Sequence, residues 1–317
     1  MTNIDIYRSK LKQAIHRFST GIALAALLGS SAWAQSRVTD DTAAGVTSDV
    51  TYAFQTVNYP GDTFTQLLGI NNSGTIAGYH GSGATGHPNK GFVLTLPNTF
   101  TAENFTGSTQ TQVIGINNAD VTDGFYIDSK GVNHGFTKFQ NNYTRVDFPG
   151  STFNQLLGLN NEHQAAGFYN DAAGNSHAYI YEENGGVFAA YTIPGATSAT
   201  ASGINDTGVI CGFYTKGGIT YGFLLNFGTL VTLNYPSATS TMAFGLNNNS
   251  QVVGTYTDSS GLIHGFVYKG GVYQSVDDPS GVGATIINGI NDNGTIVGFY
   301  GPCASGGATC DGFVGTP

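Results

Sequence analysis

Gly69-Ile70-Asn71-Asn72-Ser73-Gly74-Thr75-Ile76-Ala77-Gly78 is the stretch from which the rest of this sequence is read. Asn71-Asn72-Ser73-Gly74 is a tight-turn sequence, because Asn side chains bond nearby backbone and Gly tolerates positive φ. The flanking residues therefore read as two short antiparallel strands. The element is repeated. A Gly-Ile/Leu-Asn triplet begins at Gly69, Gly115, Gly158, Gly203, Gly245 and Gly289, at spacings of 46, 43, 45, 42 and 44 residues. Nine residues after each comes a second glycine: Gly78, Gly124, Gly167, Gly212, Gly254 and Gly298. A Gly/Ala-aromatic pair follows in every unit, at Gly91-Phe92, Gly135-Phe136, Ala178-Tyr179, Gly222-Phe223, Gly265-Phe266 and Gly312-Phe313.

The first unit predicts four strands, a to d, at residues 66–71, 75–80, 90–96 and 100–105. Short strands between turn signals, with no helical periodicity, call for antiparallel sheet. Four strands in roughly 44 residues make one propeller blade. The ends of the array point to a ring. The pattern begins with a lone d-type strand at 51–58 and ends after a c-type strand near Gly312-Phe313-Val314. A linear stack would leave both ends as broken edges. A ring uses the first strand to complete the last unit. The expected fold is all-β, a six-bladed β-propeller of four-stranded antiparallel blades, closed by the N-terminal strand pairing in the last blade.

Outside the repeats, residues 1–34 read as a secretory signal. Arg8, Lys10, Lys12 and Arg17 precede an apolar stretch at 21–28, and Ala32-Trp33-Ala34 supplies a small-x-small cleavage pattern. The apolar stretch is shorter than the roughly 20 residues a membrane span needs. The expected organisation is a signal peptide at 1–34, a flexible mature N-terminus at 35–50 and the propeller at 51–317. Export to the periplasm or the medium follows, with a soluble monomer as the product.

Composition narrows the partners. The chain holds 46 Gly, 17 Tyr and 20 Phe against only 10% charged residues, which suits a turn-rich β protein rather than a disordered one. Its formal net charge is −9; without residues 1–34, Lys plus Arg falls from 11 to 7 and Asp plus Glu from 20 to 19, leaving −12. Such a surface repels nucleic acid and anionic lipid. Arg37 and Arg145 would be the only arginines left, too few for a three-arginine carboxylate clamp of the sialidase kind. Of three cysteines, Cys303 and Cys310 flank a small-residue loop and are expected to form a disulfide in an oxidising compartment. Cys211 aligns with Ala77, Ala166, Val253 and Val297 and is expected to pack as a small hydrophobe.

The pattern Gly-Ile-Asn-Asn-x-Gly-x-Ile-x-Gly, a Gly-containing turn and then His-Gly-Phe resembles the HAF-repeat family of extracellular bacterial proteins. His177-Ala178-Tyr179 lies nearest to the His-Ala-Phe triplet. His134-Gly135-Phe136 and His264-Gly265-Phe266 carry Gly in the middle, and Lys90, Tyr221 and Asp311 replace the His elsewhere. The resemblance runs from about Tyr52 to the C-terminus. It implies an exported repeat protein and no defined activity.

Candidate site residues cluster on one expected face. With strand a innermost, the b–c and d–a connections share a face, and the b–c loops vary in length and content, as binding loops on a rigid scaffold do. Asp128, Asp171 and Asp258 recur there as acceptors for Ca²⁺ or sugar hydroxyls, or as Asx-turn residues. No stretch has the carboxylate density of a known Ca²⁺ loop, so no cofactor is indicated. His134, His177 and His264 share a repeat position, either as metal or proton-transfer groups or as blade-internal hydrogen-bonders. Asp62 is a carboxylate that could face Asp171 in a glycosidase-like pair. Asp123 stands where other units are apolar, on an exposed blade edge or in a site. Tyr79, Tyr126, Tyr169, Tyr214, Tyr256 and Tyr300 recur near the ends of the b strands, as sugar platforms or inter-blade packing. No Gly-x-Ser-x-Gly, His-Glu-x-x-His or phosphate-loop motif occurs. Three readings follow: a non-catalytic binding module for an extracellular glycan or protein, a glycoside hydrolase or lyase on the b–c face, and a structural envelope protein.

Overall fold

The computed structural model describes residues 38–40 and 50–317. The expected signal peptide and most of the expected flexible segment lie outside the described residues. Within them, six antiparallel sheets of four strands form a six-bladed propeller. Blade 1 comprises Thr65–Ile70, Thr75–His80, Lys90–Thr95 and Thr99–Ala102. The d strand is shorter than its sequence suggests because Asn104 takes over the ladder: its Oδ1, not a backbone carbonyl, accepts from the Gly91 amide at 3.1 Å. Asn58 and Asp277 do the same for Gly312 and Gly265.

Closure is as expected. Ala53–Thr56 pairs antiparallel with Asp311–Thr316, Ala53 opposite Thr316 and Thr56 opposite Phe313. The N-terminal strand is therefore the outer strand of blade 6. Pairing buries two backbone edges that would otherwise be open. The outer edge of blade 4 gains an extra strand, Val38–Asp40, parallel to Thr229–Leu233.

The repeated glycines are explained by close approach. In all six inner strands the register slips by one residue, as between Leu67 and Gly69. This bulge presents the unpaired residue (Leu68, Ile114, Leu157, Ser202, Phe244 or Asn288) to a central channel. It also draws neighbouring inner strands together. A Cβ on Gly69 would lie 2.6 Å from the Ile114 carbonyl, and one on Gly289 would lie 2.4 Å from the Leu68 carbonyl across the ring closure. The second glycine has less room still. A Cβ on Gly212 would meet the Thr200 carbonyl at 2.0 Å and the Phe223 ring at 2.7 Å. The aromatic of the third motif thus packs onto the glycine of the second. Phe92, Phe136, Tyr179, Phe266 and Phe313 are all fully buried.

The core lies between blades. Cys211 is fully buried with Leu233, Ala243, Val252 and Phe266, and burial pushes its thiol up to about 12. It packs as the small hydrophobe expected. Cys303 and Cys310 are disulfide-bonded in the b–c loop of blade 6, with Cα atoms 5.4 Å apart.

Candidate functional site

On the b–c face the expected carboxylates and imidazoles meet, but only within their own blades. Asp128 Oδ1 accepts from the amides of Lys130 and Val132 at 2.8 and 2.9 Å, closing an Asx turn. Asp171 and Asp258 hold their loops in the same way, through Ala173 and Asn175 and through Ser260 and Leu262. The second oxygen of each faces the blade's own histidine. His177 Nε2 lies 2.8 Å from Asp171, His134 Nε2 3.5 Å from Asp128 and His264 Nε2 3.6 Å from Asp258. In blades 2 and 5 a further carboxylate grips the other ring nitrogen: Asp147 at 2.9 Å from His134 Nδ1, and Asp277 at 2.6 Å from His264 Nδ1.

These contacts stabilise the ionised carboxylates. The hydrogen bond from His177, then those from Asn175, hold the Asp171 carboxyl far below its ordinary range. The Val132 amide leads in lowering Asp128, and the Leu262 amide in lowering Asp258. All three keep about a third of their side chain accessible, at 30, 34 and 31%.

Three of the six tyrosines are covered by stacked aromatic rings rather than left as open platforms. Phe105 on Tyr126, Phe148 on Tyr169 and Tyr235 on Tyr256 are parallel, with ring centroids 3.7, 3.8 and 3.6 Å apart. The histidines extend these stacks, with centroids about 5 Å from the tyrosines. In blade 1 the aligned residue is His80, stacked on Tyr59 at 3.7 Å, whereas Tyr79 turns away to donate to Gln66. Counting two residues from the second glycine would have revealed this.

Asp62 is not free to face Asp171. Its Oδ2 receives both His80 Nδ1 at 2.8 Å and His87 Nε2 at 2.9 Å, and its Oδ1 accepts from the Phe64 amide. Burial opposes its ionisation, but these bonds outweigh it and lower its pKa. This cluster was not read from the repeat, because neither His80 nor His87 occupies the repeat's histidine position. Among the described residues, no three His, Cys, Asp or Glu side chains are arranged to hold a metal ion.

Asp123 corrects the exposed-edge expectation. It is fully buried, with Oδ1 accepting from the Gly115 amide at 2.8 Å and Oδ2 without a partner. Burial raises its pKa to about 7, against the opposing pull of the Gly115 and Gly158 amides. Ala77, Ala166, Cys211, Val253 and Val297 fill this slot in the other blades, and strand alternation turns Asp123 into it here.

The opposite, a–b face carries a feature that sequence reading assigned only to turns. Each first Asn uses Oδ1 to close its own turn, as Asn71 does for Ser73 and Thr75. Its Nδ2 donates to the equivalent carbonyl of the next blade: Asn71 to Asn117, Asn117 to Asn160, Asn160 to Asn205, Asn205 to Asn247, Asn247 to Asn291 and Asn291 back to Asn71. The next residues form a second closed ring. The amides of Asn72, Asn118, Asn161, Asp206, Asn248 and Asp292 each donate to the side chain that follows in that order. The two rings frame one end of the channel.

In sequence comparisons, no family model and no curated protein matches the chain. Solved structures do. AofleA from Arthrobotrys oligospora is similar with a TM-score of 0.51 at 11% identity, over 78% of this chain and 82% of that one. A mutant Aleuria aurantia lectin in complex with Fucα1-6GlcNAc is similar with a TM-score of 0.50 at 11% identity, over 80% of this chain and 93% of that one. These likenesses show the propeller fold.

Proposed function

We propose that this propeller is an exported, non-catalytic module that binds a hydroxyl-rich extracellular polymer, a glycan, through its b–c face. The observation that carries the reading is the threefold recurrence of one Asp–His–Tyr element, in blades 2, 3 and 5, with each copy closed on itself. A hydrolase needs two carboxylates converging across one bond. Here Asp62 and Asp171 are each committed to histidines of their own units. Separate, equivalent, partly exposed acceptors suit weak binding of a repeating chain, where linked sites multiply a small individual affinity. An Aleuria aurantia lectin of similar fold is known in complex with a fucosyl disaccharide, which agrees with this use of the scaffold. The disulfide and the HAF-like repeat support export.

A glycan array and polysaccharide pull-downs, run beside a reducing-sugar release assay, test the reading. Expected are binding without release and weaker retention after Asp128→Ala, Asp171→Ala and Asp258→Ala are combined. Release of sugar with turnover would replace the reading with a hydrolase. No retention of any glycan would remove it.

A further inference from the structure

Blade 1 lacks the Asp–His–Tyr element of blades 2, 3 and 5, and its b–c loop carries Gly81-Ser82-Gly83 and His87 instead. Two backbone bonds register this loop against Asp62. The Gly81 amide donates to the Phe64 carbonyl at 3.1 Å, and the Phe64 amide donates to Asp62 Oδ1 at 2.9 Å. Gly81 has a φ of 98°, and a Cβ there would meet the Pro88 carbonyl at 2.4 Å, so only glycine lets the loop turn here. The His87 amide then closes back on the Ala84 carbonyl at 2.9 Å and brings the imidazole to Ser82.

The result is a chain of three side chains. Ser82 Oγ lies 3.1 Å from His87 Nδ1, and His87 Nε2 lies 2.9 Å from Asp62 Oδ2. The Ser82 amide donates to the same Nδ1 at 3.3 Å, so that nitrogen holds the lone pair and Nε2 the proton. A general base needs this tautomer: its lone pair faces a hydroxyl, and its N–H is gripped by a carboxylate. The two ring nitrogens have exchanged places relative to the usual Ser–His–Asp triad, but the roles are the same. The base is reachable and the carboxylate is covered, with 42% of the His87 side chain accessible against 8% of Asp62. Asn89 adds a fourth group. It is buried, its Oδ1 has no partner, and both ends of its carboxamide would lie 3.5 Å from a Cβ on Gly83, the residue after Ser82. An uncommitted amide beside a nucleophile is suited to stabilise an oxyanion.

We infer that Ser82, His87 and Asp62 form an ester-cleaving centre on blade 1, acting on small acyl esters of accessible alcohols. Ser82 Oγ bonds to the carbonyl carbon as its proton passes to His87 Nδ1, and the longer amide bond to that nitrogen gives way. The carbon–alkoxy bond breaks, and the same proton leaves with the alcohol. Water then attacks the acyl-serine and gives a proton to Nδ1; the carboxylic acid departs and Ser82 Oγ takes the proton back. Ser82 and His87 are the catalytic pair, and Asp62 positions the imidazole. Acyl size is limited because the loop builds no wall: Ser82 lies between two glycines, and Ala84, Thr85 and Gly86 are exposed. The centre goes beyond the binding assigned above, which leaves glycosidic bonds intact, and does not depend on it.

Hydrolysis of p-nitrophenyl acetate by the full chain tests the centre, with acid quenching and peptide mass spectrometry to locate the acetyl group. Expected are acetyl-Ser82 and a fall of about 100-fold or more in kcat/KM in Ser82→Ala and in His87→Gln. Ser82→Ala should keep the thermal midpoint, since Ser82 is partly exposed in its loop. Asp62→Asn is expected to slow the reaction and move the acid limb of its pH–rate profile to lower pH, because the imidazolium loses its carboxylate. Wild type no faster than Ser82→Ala, or acetyl found only on other residues, would overturn the centre and leave glycan binding untouched. An acid limb that stays in place in Asp62→Asn would remove Asp62 from it.

Discussion

Replacing Asp123 with Asn is expected to stabilise the protein at neutral and alkaline pH and to change little in mild acid. Asp123 is fully buried, one oxygen bonded to the Gly115 amide and the other unpartnered, and burial lifts its pKa from 3.8 to about 7. The folded-state value exceeds the unfolded one, so the folded protein holds the proton more tightly. Stability from this group is therefore complete below about pH 4 and is lost as pH rises through about 7. The interval corresponds to about 4 kcal/mol, an upper figure because local relaxation softens the burial of charge. Asn keeps an acceptor for Gly115 and carries no charge at any pH. The assay is guanidinium unfolding of wild type and Asp123→Asn at about pH 5 and about pH 8. The difference between the two proteins is expected to widen by about 2–4 kcal/mol at the higher pH. Using the difference cancels the histidines and other carboxylates common to both. A gap that stays the same at both pH values would refute the reasoning.

Other expectations follow from the same geometry. Gly212→Ala would drive a methyl to 2.0 Å from the Thr200 carbonyl, and overpacking of this kind costs about 1–3 kcal/mol or more; a thermal melt reads it. Asn205→Asp keeps the acceptor that closes its own turn but loses the Nδ2 donor to Asn247, so it should lower stability by about 1–3 kcal/mol, with Asn205→Ala worse still. Reducing Cys303–Cys310 opens a loop of sequence separation 7, expected to cost about 2–3 kcal/mol at most and to lower the melting temperature measurably under dithiothreitol. Deleting residues through Asn58 strips the outer strand from blade 6 and bares the edge at Asp311–Thr316; the chain should lose cooperative unfolding and aggregate, whereas a permutant carrying that strand after Pro317 should recover it.

The repeat made much of the fold legible before any coordinates. Glycines at fixed spacing, turn residues between them and an unmatched strand at each end allow one economical arrangement, a ring. The pairing of Ala53–Thr56 with Asp311–Thr316 is that inference realised. Cys211 was readable for the same reason: a position repeated six times inherits the environment of its neighbours in the alignment. Asp171 and its equivalents were placed on the correct face, yet their partners were not foreseeable. Asp147 and Asp277 lie 13 residues from the histidines they hold, and His87 reaches Asp62 across 25.

What the sequence determined by itself is therefore whatever depends on local chain geometry and on periodicity: strand, turn, blade count and closure. Tertiary structure alone decided which polar groups met. The Asn side chains read as simple turn formers, but ring closure turns their free amide ends toward the next blade and makes a circular bond network of them. Likewise Thr137 of blade 2 and Glu183 of blade 3 are separate irregularities along the chain that become neighbours only when the two blades pack. Periodic positions carry their surroundings in the sequence; contacts between blades depend on how two twisted sheets are set side by side, and no single unit encodes that.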